Sequence, residues 1–151
     1  APAEELEALP NSLMGANAVR LADDMLTIIG EPARIVPGQF GAAGTSFEGH
    51  AFFEASSMRK IGDTYVFIYS SQTNHELCYA TSSFPDRDFR YRGTLVSNGD
   101  VGYDGRRERE RCNATGKTHG GIEKIGDKRY GFYHRPSRFK FFRGLKSGRQ
   151  K

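Results

Sequence analysis

A chain of 151 residues is the length of one ordinary domain, long enough to bury a core, and no apolar run in it reaches transmembrane length. With 18 Gly, 11 Phe, 7 Tyr and no Trp, the composition suits short strands joined by turns and argues against a helical bundle. The net charge of +4 belongs to one end: Arg138, Lys140, Arg143, Lys146, Arg149 and Lys151 follow Pro136 with no acid among them, and the rest of the chain is mildly acidic.

In chain order, "AEELEALP" predicts a short helix ended by Pro10, within an N-terminal segment covering 1–16. "GANAVRLADDMLTIIGEPARIVPG" alternates apolar runs with turns, which fits short strands around Val19–Leu21 and Met25–Ile29. "GQFGAAGTSFEG", from Gly38 to Gly49, reads as a loop too polar and flexible for a core element. Two strands then flank the turn Ile61-Gly62-Asp63-Thr64, and strand-like runs follow at 75–83 ("HELCYATSS") and 88–97 ("DFRYRGTLVS").

An internal repeat organises these pieces. "MRKIGDTYVFIYSS" starts at Met58 and "IEKIGDKRYGFYHR" at Ile122, 64 positions later, with Lys-Ile-Gly-Asp in both. Each copy reads as a hairpin whose Gly-Asp pair supplies the positive φ angles of a tight turn. Four short strands in about 45 residues is the amount of chain in one β-propeller blade. The expected fold class is therefore all-β: two to three propeller blades over 17–135, an incomplete toroid. Unpaired blade faces and edges would favour self-association.

Several residues invite a chemical reading. Glu54 is the odd one in "HAFFEASSMRK", a carboxylate between Phe52-Phe53 and the small residues Ala55, Ser56 and Ser57. Read alone, it is a solvated strand-end acid or a partner of Arg59. His119 sits in "KTHGG", and His134 and Arg135 close the second hairpin. Tyr69, Tyr79 and Tyr133 occupy strand positions where rings usually fill a core. Cys78 reads as a small apolar strand residue and Cys112 as a loop residue, with a disulfide left open. Asn113-Ala114-Thr115 is a formal glycosylation acceptor of low specificity. The tail 136–151 is expected to be disordered; interleaved with Phe139, Phe141 and Phe142, its cations leave nucleic-acid binding as a less favoured alternative.

The motifs "FFEASSMRK", "ELCYATS" and "THGGIEKIGDKRYGFYHR" together resemble the C-terminal part of glycoside hydrolase family 43, over roughly Leu21 to Arg135. The resemblance implies a five-bladed β-propeller acting on arabinose- or xylose-containing glycans. It implies Glu54 as general acid on an inner strand beside the axis, a carboxyl group that must hold a proton for the departing oxygen. Phe52 and Phe53 would lower the polarity there, Phe53 and Arg135 would contact sugar, and Ala55 and Ser56 would leave room for it. His119 would point into the central channel near a calcium ion, as a minor ligand with waters completing the shell.

The resemblance also implies a catalytic base and a tuning aspartate located before the acid, and the stretch preceding Glu54 contains nothing like either motif. Asp23 and Asp24 read as a turn, and Asp100 and Asp104 as loop residues that could rim a site. Two functions follow: a family 43 type glycosidase present as a partial domain, or a non-catalytic carbohydrate-binding or vestigial propeller fragment. The first residue is Ala1 rather than Met and no leader is visible, and the location, secreted or cytoplasmic, stays open.

Overall fold

The computed structural model describes residues 1–134 apart from 10, 11, 74, 98, 113–115 and 117. Arg135, the tail 136–151 and Asn113-Ala114-Thr115 therefore lie outside the described residues. Among the described residues one α-helix, α1 (Ala3–Ala8), precedes eight strands, β1 (Gly15–Leu21), β2 (Ile28–Pro37), β3 (Phe52–Ile61), β4 (Thr64–Ser71), β5 (Leu77–Ser82), β6 (Arg90–Val96), β7 (Gly120–Ile125) and β8 (Lys128–Tyr133), with two short 3-10 turns at Tyr103–Gly105 and Glu108–Glu110 between β6 and β7. They form three antiparallel sheets in the orders β1-β2, β3-β4-β5-β6 and β7-β8. The middle sheet is a four-stranded blade, and the two hairpins lie on either side of it. No helix among the described residues is long and apolar enough to cross a membrane.

The central strands explain the core. β4 reads "TYVFIYSS", and its consecutive residues Phe67, Ile68 and Tyr69 are all buried, so both faces of the blade are covered. Phe67 and Tyr69 share one face with Cys78 and Ala80 of β5 and pack with Ala16, Ile35 and Val36 of the first hairpin. Ile68 and Leu77 fill the other face, on the side where β7 runs against β3 and β4. Each large buried side chain contributes about 1.5–3 kcal/mol by leaving water. Beyond this blade the outer hairpins carry apolar groups in solvent: Ile28 and Ile29 on β2, and Tyr130, Phe132 and Tyr133 on β8.

Three expectations are corrected. The second strand starts at Ile28 rather than Met25, because Asp24 closes the preceding turn: its carboxylate accepts from the Leu26 and Thr27 N–H groups, both at 2.9 Å, and from the Thr27 hydroxyl at 2.6 Å. The Gly-rich loop is not merely a flexible connector, since Ala42 and Phe47 are buried in the core. Its glycines serve a close approach. The Glu7 side chain of α1 is buried in this loop and accepts the Phe40 N–H at 2.9 Å, and a Cβ at Gly38 or Gly41 would lie 2.8 or 2.7 Å from its Oε1. Finally, only the glycine of each repeated turn takes positive φ, 59° at Gly62 and 60° at Gly126, while Asp63 and Asp127 do not. That is the pattern of a type II′ hairpin turn, which needs positive φ at the first central residue alone.

Candidate active site

Glu54 lies on β3 between two irregularities in its pairing with β4. Phe52 pairs with Ser71, Glu54 with Ser70 and Ser57 with Ile68, so β3 carries extra residues on both sides of the acid. Bulges of this kind re-aim a side chain and break the alternation of the strand. Ala55 absorbs the distortion at φ 65°, a left-handed conformation that costs a residue with a Cβ about 1–2 kcal/mol. As a result Phe52 turns toward the core, with its ring centroid 6.3 Å from Phe67 and 6.1 Å from Tyr69, while Phe53 stays 42% exposed. Phe53 meets the His75 ring edge-on at 4.6 Å.

The partner of Glu54 comes from 65 residues away: His119 Nε2 is 2.9 Å from Glu54 Oε1. Two glycines next to His119 make this meeting possible. A Cβ on Gly121 would lie 3.1 Å from the Ser57 hydroxyl of β3, and one on Gly120 would lie 2.8 Å from Leu77 Cδ2 and 2.4 Å from the Phe132 carbonyl oxygen. β7 therefore presses on β3 and β5 with bare backbone. Farther along, Arg59 of β3 is 3.4 Å from Glu123 of β7, so Arg59 bonds to the neighbouring hairpin. His119 is also held from its own hairpin: its carbonyl accepts the His134 N–H at 3.2 Å, and the two rings meet at 5.2 Å.

Both members of the pair reach solvent, with side-chain exposures of 37% for Glu54 and 43% for His119. One proton suffices for their contact: a protonated carboxyl donates to Nε2, and an N–H at Nε2 donates to a carboxylate. The pair therefore shares a hydrogen bond at a position open to solvent. It is not a calcium cage. The contact supplies one imidazole nitrogen and one carboxylate, whereas calcium takes six to eight oxygen ligands.

The remaining candidates separate. Tyr69 is buried and donates its hydroxyl to the His50 carbonyl at 2.7 Å, which makes it a core residue; burial pushes its phenol far above the usual range. Tyr133 is exposed and borders a cleft of about 860 Å³. Asp100 also borders that cleft and is 3.8 Å from Arg106. The cleft does not centre on Glu54: its walls include His50, Glu76, Ser97 and Tyr133. Cys78 is buried and Cys112 exposed, both as free thiols. The direct bond between Glu54 and His119 had no sequence signal, although the repeat hinted at it by setting β3 and β7 in equivalent positions.

No protein-family model matches the chain. A xylosidase/arabinosidase of Thermoclostridium stercorarium is 50% identical over 125 residues, covering 82% of this chain and 26% of that protein. The chain thus spans about a quarter of the length of this curated relative. Among solved structures, the beta-xylosidase RS223 superposes with a TM-score of 0.56 at 28% identity, over 84% of this chain and 38% of the other. A GH43 beta-xylosidase/alpha-arabinofuranosidase from a compost microbial metagenome, solved with xylotriose in a calcium-free form, gives 0.56 at 26% identity, over 82% and 35%. Sequence and fold point to the same relatives: the chain is similar to one part of the glycoside hydrolase family 43 enzymes, and its antiparallel β-blades match part of their fold.

Proposed function

We propose that this chain supplies the general-acid half of a glycosidase that cleaves O-glycosidic bonds in arabinose- or xylose-containing glycans. The observation that carries this reading is the Glu54–His119 pair, held at 2.9 Å between two blades on a strand bulged at the acid. Glu54 protonates the leaving oxygen as the glycosidic bond breaks. With a proton on Nε2, His119 donates to Glu54 Oε1 and orients the carboxyl group, and the same N–H stabilises the carboxylate left when the acid's own proton goes to the leaving oxygen. Phe53, exposed beside Glu54, offers an apolar ring for a sugar face, and Arg135 contributes hydrogen bonds to hydroxyls.

Hydrolysis needs a second carboxylate to activate water on the opposite side of the sugar. In this proposal it comes from blades outside this chain, which dock on the exposed β2 and β8 hairpins or are replaced there by a second copy. The proposed division is a partial propeller over 17–135, whose first strand already begins at Gly15, after an N-terminal segment 1–16 and before a basic tail 136–151. A calcium ion beside His119 would be held mainly by water, and no catalytic step is routed through it. The solved GH43 relative with xylotriose supports a xylose-containing ligand.

The test is turnover of aryl arabinofuranoside and aryl xyloside by the chain and by Glu54→Gln, each alone and joined to the missing blades of a relative. Activity that appears on completion of the propeller and is lost with Glu54→Gln is the expected result. A completed propeller whose Glu54→Gln variant keeps full activity toward both substrates would sink the assignment of the acid.

A further inference from the structure

Away from Glu54, the fold gathers three side chains that glycoside cleavage does not use. His50 ends the loop before β3, Glu76 immediately precedes β5, and Cys78 lies on β5. One ligand atom from each (imidazole Nδ1, a carboxylate oxygen and Sγ) lies within 4.8 Å of the other two. His50 Nδ1 is 4.0 Å from Cys78 Sγ and 3.8 Å from Glu76 Oε2. We propose that His50, Glu76 and Cys78 form a binding site for a thiophilic divalent metal ion of the zinc class, with its fourth coordination position open to the adjoining cleft.

The ligand set selects the metal. Thiolate, imidazole and carboxylate together suit zinc and its neighbours, while calcium and magnesium require oxygen throughout. Tetrahedral zinc places neighbouring ligand atoms about 3.3–3.6 Å apart, so the two His50 distances need to shorten by only about 0.5 Å. The third edge, between Glu76 and Cys78, lies within 4.8 Å and closes by rotation of the Glu76 side chain toward the thiol.

The surroundings resemble the outer shell of a metal centre. Thr94 Oγ1 lies 3.5 Å from Cys78 Sγ and 3.3 Å from Glu76 Oε2, so one hydroxyl positions two ligands. Ser97 donates to Glu76 Oε1 at 3.5 Å. The Tyr91 ring stacks on the His50 imidazole at 4.1 Å with an interplanar angle of 8°, and Tyr69 fixes the His50 backbone from beneath. Partners of this kind set the orientation of ligands and often change metal affinity 10–100-fold when removed. Binding of the cation releases the Cys78 thiol proton to solvent. The cleft of about 860 Å³, lined by His50, Glu76, Ser97, Asp100, Arg106 and Tyr133, provides the entry path and room for a water molecule on the metal.

The experiment is a cobalt(II) titration of the full chain, read by the near-ultraviolet thiolate-to-cobalt charge-transfer absorption and followed by displacement with zinc. The expected result is one saturable equivalent. The band is retained in Cys112→Ser, lost in Cys78→Ser, weakened at least tenfold in affinity by His50→Asn, and weakened 10–100-fold by Thr94→Val. Circular dichroism checks each variant; if Cys78→Ser does not fold, the partly exposed His50 and Glu76→Gln carry the test in its place. The proposal is overturned by absence of the band in the unaltered chain, by a band that follows Cys112, or by folded His50→Asn and Glu76→Gln variants that bind cobalt as the unaltered chain does.

Discussion

Replacing Gly120 with Ala tests how the last hairpin is set against the central blade. The added Cβ would stand 2.4 Å from the Phe132 carbonyl oxygen, 2.8 Å from Leu77 Cδ2 and 3.2 Å from Tyr133 Cβ. A carbon next to a carbonyl oxygen normally keeps about 3.3 Å or more, so close to 1 Å must be recovered. Leu77 could change rotamer, but Phe132 O is backbone, in the strand that pairs with Gly120. The overlap therefore forces β7 away from β8. Overpacking of this sort costs about 1–3 kcal/mol, and a backbone obstacle belongs at the upper end. With a urea slope of roughly 2 kcal/mol per molar, the unfolding midpoint by circular dichroism should fall by about 1–1.5 M. Gly131→Ala is the internal control: it lies in β8, takes no positive φ and has nothing within 4 Å of its would-be Cβ. It should be neutral or slightly stabilising, since alanine narrows the unfolded ensemble. If Gly120→Ala unfolds at the same urea concentration as Gly131→Ala, the close docking of β7 that carries His119 to Glu54 is refuted.

Two other perturbations probe the same architecture. Ala55→Gly removes a Cβ from a left-handed conformation at φ 65° and should raise stability by up to about 1 kcal/mol, whereas Ala55→Val should lower it; a melting temperature that falls in the glycine variant contradicts the strain. The Asp24 carboxyl is held below its ordinary value by the Thr27 hydroxyl first and then by the N–H groups of Thr27 and Leu26, and that of Glu123 by the Lys124 N–H first and then by Arg59. Lowered folded values mean that their stabilisation is fully present above the ordinary carboxylate range near pH 4 and is lost as pH falls through the lowered values. Carboxyl NMR titrations should show Asp24 rising part of the way toward the ordinary range in Thr27→Ala, since the two backbone N–H bonds remain, and an unchanged Asp24 titration there would contradict the assigned cause.

The sequence carried the blade because the blade is built from local signals. Alternating apolar runs and Gly-Asp turns mark β3–β4 and β7–β8, and the repeat pairs them; both hairpins form with the registers Ile61 opposite Thr64 and Ile125 opposite Lys128. Glu54 was legible as an oddity in its strand and gained meaning only from the resemblance. What stayed hidden depends on long-range packing. Nothing local to "FFEASS" announces two bulges, since these arise from the fit of β3 to β4. The Gly-rich loop looked solvated because its burial comes from Phe47 and Ala42 reaching under a distant sheet and from Glu7 entering between Gly38 and Gly41. The same reason concealed the His50–Glu76–Cys78 group: its members are brought together by the return of β5 along β4, and Cys78 by itself reads as an apolar strand residue.

The spacing between Glu54 and His119 also sets an order in time. During synthesis the acid leaves the ribosome 65 residues ahead of the histidine that receives it. At about 5–20 residues per second, that is an interval of roughly 3–13 seconds. The four-stranded blade is complete only once Val96 has emerged, and from then until His119 the carboxylate has no imidazole across from it. The imidazole arrives just ahead of the β7–β8 hairpin, so the pairing of these two residues records that translation has reached the third sheet.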